Sequence, residues 1–260
     1  QRTLLAAYMQ IYAGMIDNLD QNIGRLIDTL TDMGLFENTL FVITSDNGAS
    51  SIGGAVGAAN VVEMRVAKFE DPALAQTMLD QGRLGGVDTN PAYPVGWANA
   101  SNTPFRFYKR TPMNGGIRVP MIACWPNRIT DHGQIREGWV HATDILPTFL
   151  GLLDKEYPDH FNGFPTRGLS GVSFSAMLTD ADAESGRSRQ YYELEGNRGL
   201  IDDGWKLVSL QPAGAKIDLS NWALFDLGRD PTEAHDVAAD HPDRVLRMMA
   251  TFDELARADN

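Results

Sequence analysis

Three places in the chain bring together residue types that could do chemistry. Asp46 and Asn47 follow the run Thr39 to Thr44, "TLFVIT", and precede Gly48. A carboxylate beside an amide offers hard oxygen donors of the kind Ca²⁺ or Mg²⁺ takes, although D-N-G is also the composition of an ordinary turn. Two oxygens are too few for a metal site, so further ligands would have to come from elsewhere. Lys109 lies in "NTPFRFYKR", just ahead of "NGGIRVP", with Arg106, Arg110 and Arg118 nearby. In an acidic chain this is a candidate anion site, with Lys as a point charge and Arg as a fork, or else a solvated basic patch. Cys124, the only cysteine, sits in "ACWPNR", which can be read as C-x-P-x-R.

Other candidates carry less. The glycine-rich "IGGAVGAAN" lacks the lysine of a Walker loop and the spacing of a dinucleotide fingerprint, and reads as a flexible loop. The histidines show no metal-ligand spacing; His141 reads as the start of a helix, and His235 and His241 fall in the C-terminal region. Tyr93, Trp97, Phe105 and Phe107 could line an apolar pocket or fill a core.

The elements that must position these residues follow from periodicity. From Thr3 to about Met33 apolar residues recur at steps of three and four, which predicts a helix stopped by Gly34. The run Thr39 to Thr44 is β-branched and mostly apolar, so it reads as a buried parallel strand fed by that helix, with Asp46 and Asn47 at its carboxyl end, where ligands of open α/β sheets gather. "RVPMIACWP" reads as a second such strand and "HATDILPTFLGLL" as the helix after it. Only two or three candidate parallel strands can be found where such sheets usually have four or more, so the doubly wound sheet reads as incomplete, with an N-terminal portion expected upstream of Gln1. Between the two strands Ala49 to Ser101 is a long connection with one short helix around Pro72 to Leu79. Beyond about Asp180, "RQYYELEG", "RGLIDDGWKLVSL" and "WALFDL" read as short antiparallel strands with Asp203-Gly204 as a hairpin turn, and "HPDRVLRMMATFDELARA" as a closing helix. The expected organisation is an α/β portion over residues 1–180 and a small antiparallel sheet with a terminal helix over residues 181–260.

Composition bounds the function. Lys plus Arg 22 against Asp plus Glu 34 gives a net charge of −12, which opposes non-specific binding to nucleic acid or anionic lipid, and any anionic ligand must be held by a local positive site. No apolar run approaches the ~18 residues of a membrane span. The expected partner is a small molecule, with no nucleic acid and no membrane. The single cysteine forbids an internal disulfide but leaves the compartment open, cytoplasmic or periplasmic, as it leaves the oligomeric state.

Five segments together resemble the sulfatase family, within the alkaline-phosphatase-like superfamily: "MIDNLDQNIGRLIDTLTDMGLFENTLFVITSDNG", "FRFYKRTPMNGGIRVPMIACWP", "HATDILPTFLGLL", "EGNRGLIDDGWKLV" and "LFDLGRDPTEAHDVA". Their order and spacing are similar to the C-terminal half of bacterial arylsulfatases. The resemblance implies an alkaline-phosphatase-like doubly wound sheet and hydrolysis of a sulfate ester. It implies that Asp46 and Asn47 bind Ca²⁺ or Mg²⁺, and that Lys109 contacts the sulfate and serves catalysis; Gly115, Gly116 and Arg118 match the same segment without an assigned role. It further implies a formylglycine nucleophile in an N-terminal half, which would leave this chain alone inactive. Two alternatives stay open: a phosphatase or phosphodiesterase of the same superfamily, and a non-catalytic anion-binding module.

C-x-P-x-R is the pattern in which such a cysteine becomes formylglycine. Cys124, however, follows the Asp-Asn pair and the lysine, whereas the family's nucleophile precedes both. It is therefore expected to be unmodified and largely buried in a strand that Pro126 ends, with Arg128 outside the active site.

Overall fold

The computed structural model describes residues 1–63, 72–212, 214, 216–218 and 220–258. Helix α1, Arg2–Asp32, ends where Gly34 takes φ 70° and donates to Thr31 while Leu35 donates to Leu30. This is the paired-bond stop that a left-handed glycine allows. The expected apolar stripe is present, but only its first turns are fully buried, at Leu4, Ala7 and Tyr8; Ile23, Ile27 and Leu30 are half-buried, whereas Met15, Ile16, Leu19 and Leu26 lie open, Met15 by 65%. Leu4 and Tyr8 pack on Ala59 and on Ala75 of α2, Pro72–Asp80.

Strand β1, Phe41–Thr44, and strand β2, Met121–Cys124, form a two-stranded sheet whose pairing is antiparallel, Phe41 opposite Cys124 and Thr44 opposite Met121. A parallel pair was expected here. The direction is set just beyond β1: the amide of Gly48 donates to Gly116, and the Thr44 hydroxyl donates to Pro120, so the returning chain runs back beside the outgoing one. One face of the pair, with Met121 and Ala123, packs on Phe174 and Met177. The other face carries Ile122, which is 60% exposed, and is uncovered by the described residues. Cys124 lies on that outer face, two residues along from Ile122, and is exposed rather than buried.

The glycine-rich stretch Ile52 to Asn60, read from the sequence as a flexible loop, is packed against its neighbours. A Cβ on Gly53 would come within 2.3 Å of the Tyr93 carbonyl, and Gly57, at φ 86°, abuts the Tyr8 ring. Ala58 bridges Ala92, and helix α3, Val95–Ser101, follows α2. A one-turn helix, α4 at Asn114–Ile117, leads into β2; α5, Ile145–Leu152, follows a 3₁₀ turn at Ala142–Asp144; strands β3, His160–Phe161, and β4, Phe164–Pro165, make a minimal hairpin; and α6 spans Ser175–Thr179.

Strands β5, Arg189–Leu194, β6, Asn197–Asp202, β7, Trp205–Ser209, and β8, Ala223–Asp226, form an antiparallel meander in sequence order. Asp203 and Gly204 turn its second hairpin with both φ values positive, 50° and 76°, as the type I′ hairpin signal requires. Helix α7, Pro242–Ala258, lays Met248 and Phe252 on Leu200, Leu207 and Leu224. The opposite face of the sheet presents Val208 and Phe225 to Met113. Gly199 lets that face approach closely, since a Cβ there would meet Pro112 at 2.6 Å. The sheet is thus the platform on which the segment carrying Lys109 rests.

Candidate active site

The segment from Phe105 to Arg118 is fixed from two sides. On one side three glycines let backbones meet: a Cβ on Gly48 would lie 1.8 Å from the Gly115 carbonyl, and Cβ atoms on Gly115 and Gly116 would lie 2.3 Å and 2.2 Å from the carbonyls of Arg106 and Thr111. The amide of Lys109 donates to Ala49 at 3.0 Å, and Ala49 in turn donates to the Asn102 side chain. The turn after β1 and the lysine loop are therefore a single hydrogen-bonded unit.

On the other side stands a buried polar cluster. Lys206 Nζ lies 2.6 Å from Glu233 Oε1 and donates to Asn114 Oδ1 at 2.9 Å, and both charged side chains are fully buried. Glu233 Oε2 accepts from the Asn114 amide at 2.7 Å, and the Asn114 side chain donates to Pro231. Burial pushes the Lys206 pKa down to about 8, with the Glu233 charge opposing the fall. The cluster ties the start of α4 to β7 and to the turn after β8.

A cavity of about 840 Å³ opens between this unit and the edge strand β5. Asn47 and Lys109 line it on one part, and His141, Thr143, Arg187 and Tyr192 on another. Asp46 adjoins Asn47 but is solvent-exposed and outside this lining. Of the four Lys and Arg side chains in the lining, three are paired: Arg110 with Glu195, Arg187 with Asp144, and Arg189 with Asp202. Lys109 has no carboxylate partner among the described residues. The other arginines near it in sequence are also committed elsewhere, Arg106 to the Glu233 carbonyl and Arg118 over the Phe105 ring. Of the basic cluster read from the sequence, Lys109 alone has no side-chain partner among the described residues.

The four aromatic candidates do not share one pocket: Tyr93 packs on the core around Tyr8, Trp97 donates to the Leu5 carbonyl, Phe107 joins Met113, and Phe105 lies under Arg118. Cys124 and Arg128 are both absent from the cavity wall, and Arg128 stacks 5.2 Å from the Trp125 ring centroid.

Sequence reading missed the second wall. Asp144 is fully buried and takes Arg187 Nε at 2.8 Å, together with the amides of Val172 and His141. Burial pushes the Asp144 carboxyl up, but the Arg187 bond and the two amides outweigh it and hold it below the usual carboxylate range. His141 caps the 3₁₀ turn in a reciprocal capping box with Asp144. The helix start was legible as such, since H-x-x-D is a variant of the box; nothing in the sequence tied it to Arg187, 43 residues after Asp144.

Comparison with known proteins bears on this geometry. Residues 3–155 match the family model described as Sulfatase, and residues 105–255 match that described as N-sulphoglucosamine sulphohydrolase, C-terminal. An uncharacterized sulfatase of Schizosaccharomyces pombe is 32% identical over 96% of the chain, and an arylsulfatase of Klebsiella aerogenes is 31% identical over 68% of it. The chain spans 43% and 36% of the length of these two relatives. Among solved structures, a protein in complex with its substrate D-glucosamine-2-N,6-O-disulfate covers 94% of the chain at 20% identity and a TM-score of 0.57, the chain spanning 40% of it.

Proposed function

The chain belongs to the sulfatase family and has its alkaline-phosphatase-like fold, and from that premise we propose that it is the C-terminal portion of an arylsulfatase-like sulfuric ester hydrolase. In this reading Lys109 holds the sulfuryl group and serves catalysis, and Asp46 and Asn47 bind Ca²⁺ or Mg²⁺. The observation that carries it is the charge pattern of the cavity: one unpaired ammonium beside an amide, in a wall whose other cations are neutralised. A protein of net charge −12 holds a small anion only where such a local charge stands free.

The donor set fits the metal in kind and only partly in number. The Asp46 carboxylate is exposed, and the Asn47 side chain spends its Nδ2 on the Gly48 carbonyl, leaving hard oxygens for a cation. Ca²⁺ takes about six to eight oxygens, and no cluster of three or more His, Cys, Asp or Glu occurs among the described residues. Asp46 and Asn47 are therefore read as two ligands of a site that other residues complete. When bound, the ion supplies electrostatic stabilisation of charge on the sulfuryl oxygens. Lys109 contributes the same kind of stabilisation from a fixed backbone, since its amide is bonded to Ala49 and its loop is clamped by Asn114.

The nucleophile is assigned to a formylglycine outside this chain, because Cys124 lies away from the cavity. The 260-residue polypeptide is accordingly expected to leave 4-nitrophenyl sulfate unhydrolysed; measurable turnover would overturn that assignment. The substrate is read as a small sulfate ester, a sulfated sugar in particular, from the ligand of the solved relative. Titrating ¹⁵N-labelled chain with inorganic sulfate should shift the Lys109 and Asn47 resonances, and Lys109→Ala should abolish the response. A response that survives the substitution would remove Lys109 from the site.

A further inference from the structure

The part of the cavity wall formed by His141 and Tyr192 differs in chemistry from the part formed by Lys109. The His141 and Tyr192 rings meet edge to face with centroids 5.8 Å apart, and both line the cavity. His141 Nδ1 lies 2.9 Å from Thr143 Oγ1, and that oxygen accepts from Arg187 Nη2 at 3.2 Å. The Arg187 bond leaves that hydroxyl both a proton and a lone pair, so this contact fits either tautomer. The Thr143 amide donates to Nδ1. The Thr143 amide contact makes Nδ1 an acceptor and assigns the ring proton to Nε2, which has no hydrogen-bond partner among the described residues. Burial, with Arg187 adding to it, lowers the His141 pKa against the opposing charge of Asp144 and so favours the neutral ring. Arg187 is held by the buried Asp144, whose carboxylate matches its charge.

We propose that His141 and Tyr192 form the subsite for the alcohol half of the ester, and that this half is a neutral, hydroxylated sugar ring. The proposal rests on the reading of Lys109 as the sulfuryl holder. A single fixed N–H donor beside an aromatic edge calls for an acceptor oxygen next to an apolar ring face, which a sugar hydroxyl supplies and an unsubstituted aryl ring does not. A second anionic group on that ring would find no unpaired cation here, since Arg110, Arg187 and Arg189 are each matched by a carboxylate. His141 on this account is a specificity residue that touches the leaving group's ring and takes no part in attack on sulfur.

The test uses the whole 260-residue chain, ¹⁵N-labelled, titrated in separate arms with inorganic sulfate, glucose or galactose 6-sulfate, and phenyl sulfate. The sugar sulfates should shift His141 and Tyr192 resonances together with Lys109, while inorganic sulfate and phenyl sulfate shift Lys109 alone. The free chain should show the Nε2–H tautomer in its imidazole ¹⁵N spectrum. His141→Ala should weaken a sugar sulfate about fivefold, the worth of one neutral hydrogen bond, and leave inorganic sulfate unchanged; His141→Gln, which keeps a donor, should recover part of the loss. Should His141→Ala disturb the capping turn, Tyr192→Leu provides an independent arm with the same expectation. Equal sugar-sulfate affinity in the variants, no sugar response at His141, or an equal response there to phenyl sulfate would overturn the subsite. Loss of the Lys109 response to every sulfate, with the sugar response at His141 retained, would instead overturn the sulfuryl role of Lys109.

Discussion

Replacing Lys206 by Met isolates what the buried cluster contributes. The methionine keeps most of the apolar stem, so the perturbation is electrostatic: Glu233 loses an ammonium 2.6 Å away and keeps the Asn114 amide at 2.7 Å, in a place both side chains share with no exposed surface. Removing one partner of a buried ion pair leaves an uncompensated charge and costs about 3–5 kcal/mol. Urea unfolding followed by the fluorescence of Trp205 and Trp222, which pack at the core between the meander and α7, should show a loss of that size. Lys206→Met with Glu233→Leu should recover part of it, because two apolar groups replace the pair. A pH signature accompanies the loss. The folded pKa of Lys206, about 8, lies below the ordinary 10.5, so between those values the unfolded chain binds more protons and this group makes stability rise with pH. The methionine variant should lack that rise. A loss under about 1 kcal/mol, or an unchanged slope between pH 8 and 10.5, would refute the account of the cluster as a desolvated clamp on the Lys109 loop.

Other consequences can be checked directly. Gly48→Ala would force a Cβ to within 1.8 Å of the Gly115 carbonyl; hydrogen exchange at the Lys109 and Gly48 amides should accelerate, and sulfate binding should fall with it. Asp144→Asn should cost about 3 kcal/mol by stranding Arg187, seen as a lower urea midpoint, and should lift the restriction on the His141 tautomer in its ¹⁵N spectrum. The lowered pKa values of His141 and Asp144 both make the unfolded chain the stronger proton binder, for His141 just below 6.5 and for Asp144 just below 3.8. Their contributions should therefore be lost as pH falls, and a thermal midpoint that failed to drop between pH 7 and 3 would contradict them. Cys124, exposed on the outer face of β2, should react rapidly with a maleimide and give no product with an aldehyde-specific probe.

The family and much of the element order are set by sequence because they rest on local rules. Steps of three and four fix α1 and α7, a left-handed glycine fixes the stop at Gly34, and Asp203-Gly204 fixes the hairpin. The candidate residues Asp46, Asn47 and Lys109 were legible by type and by motif. Strand direction was not, because a short apolar strand reads alike in either sense; the contact between Gly48 and Gly116 across 68 residues turned β1 and β2 antiparallel. Nor was the exposure of Cys124, which depends on what covers one face of β2. The sequence placed three basic residues around Lys109, and only the folded chain showed that all three, Arg106, Arg110 and Arg118, are engaged elsewhere. The pairs Lys206 with Glu233 and Arg187 with Asp144 are likewise products of tertiary packing. Long-range charge pairing leaves no periodic trace in a sequence, since each partner obeys the rules of its own element, and only burial makes the pairing obligatory.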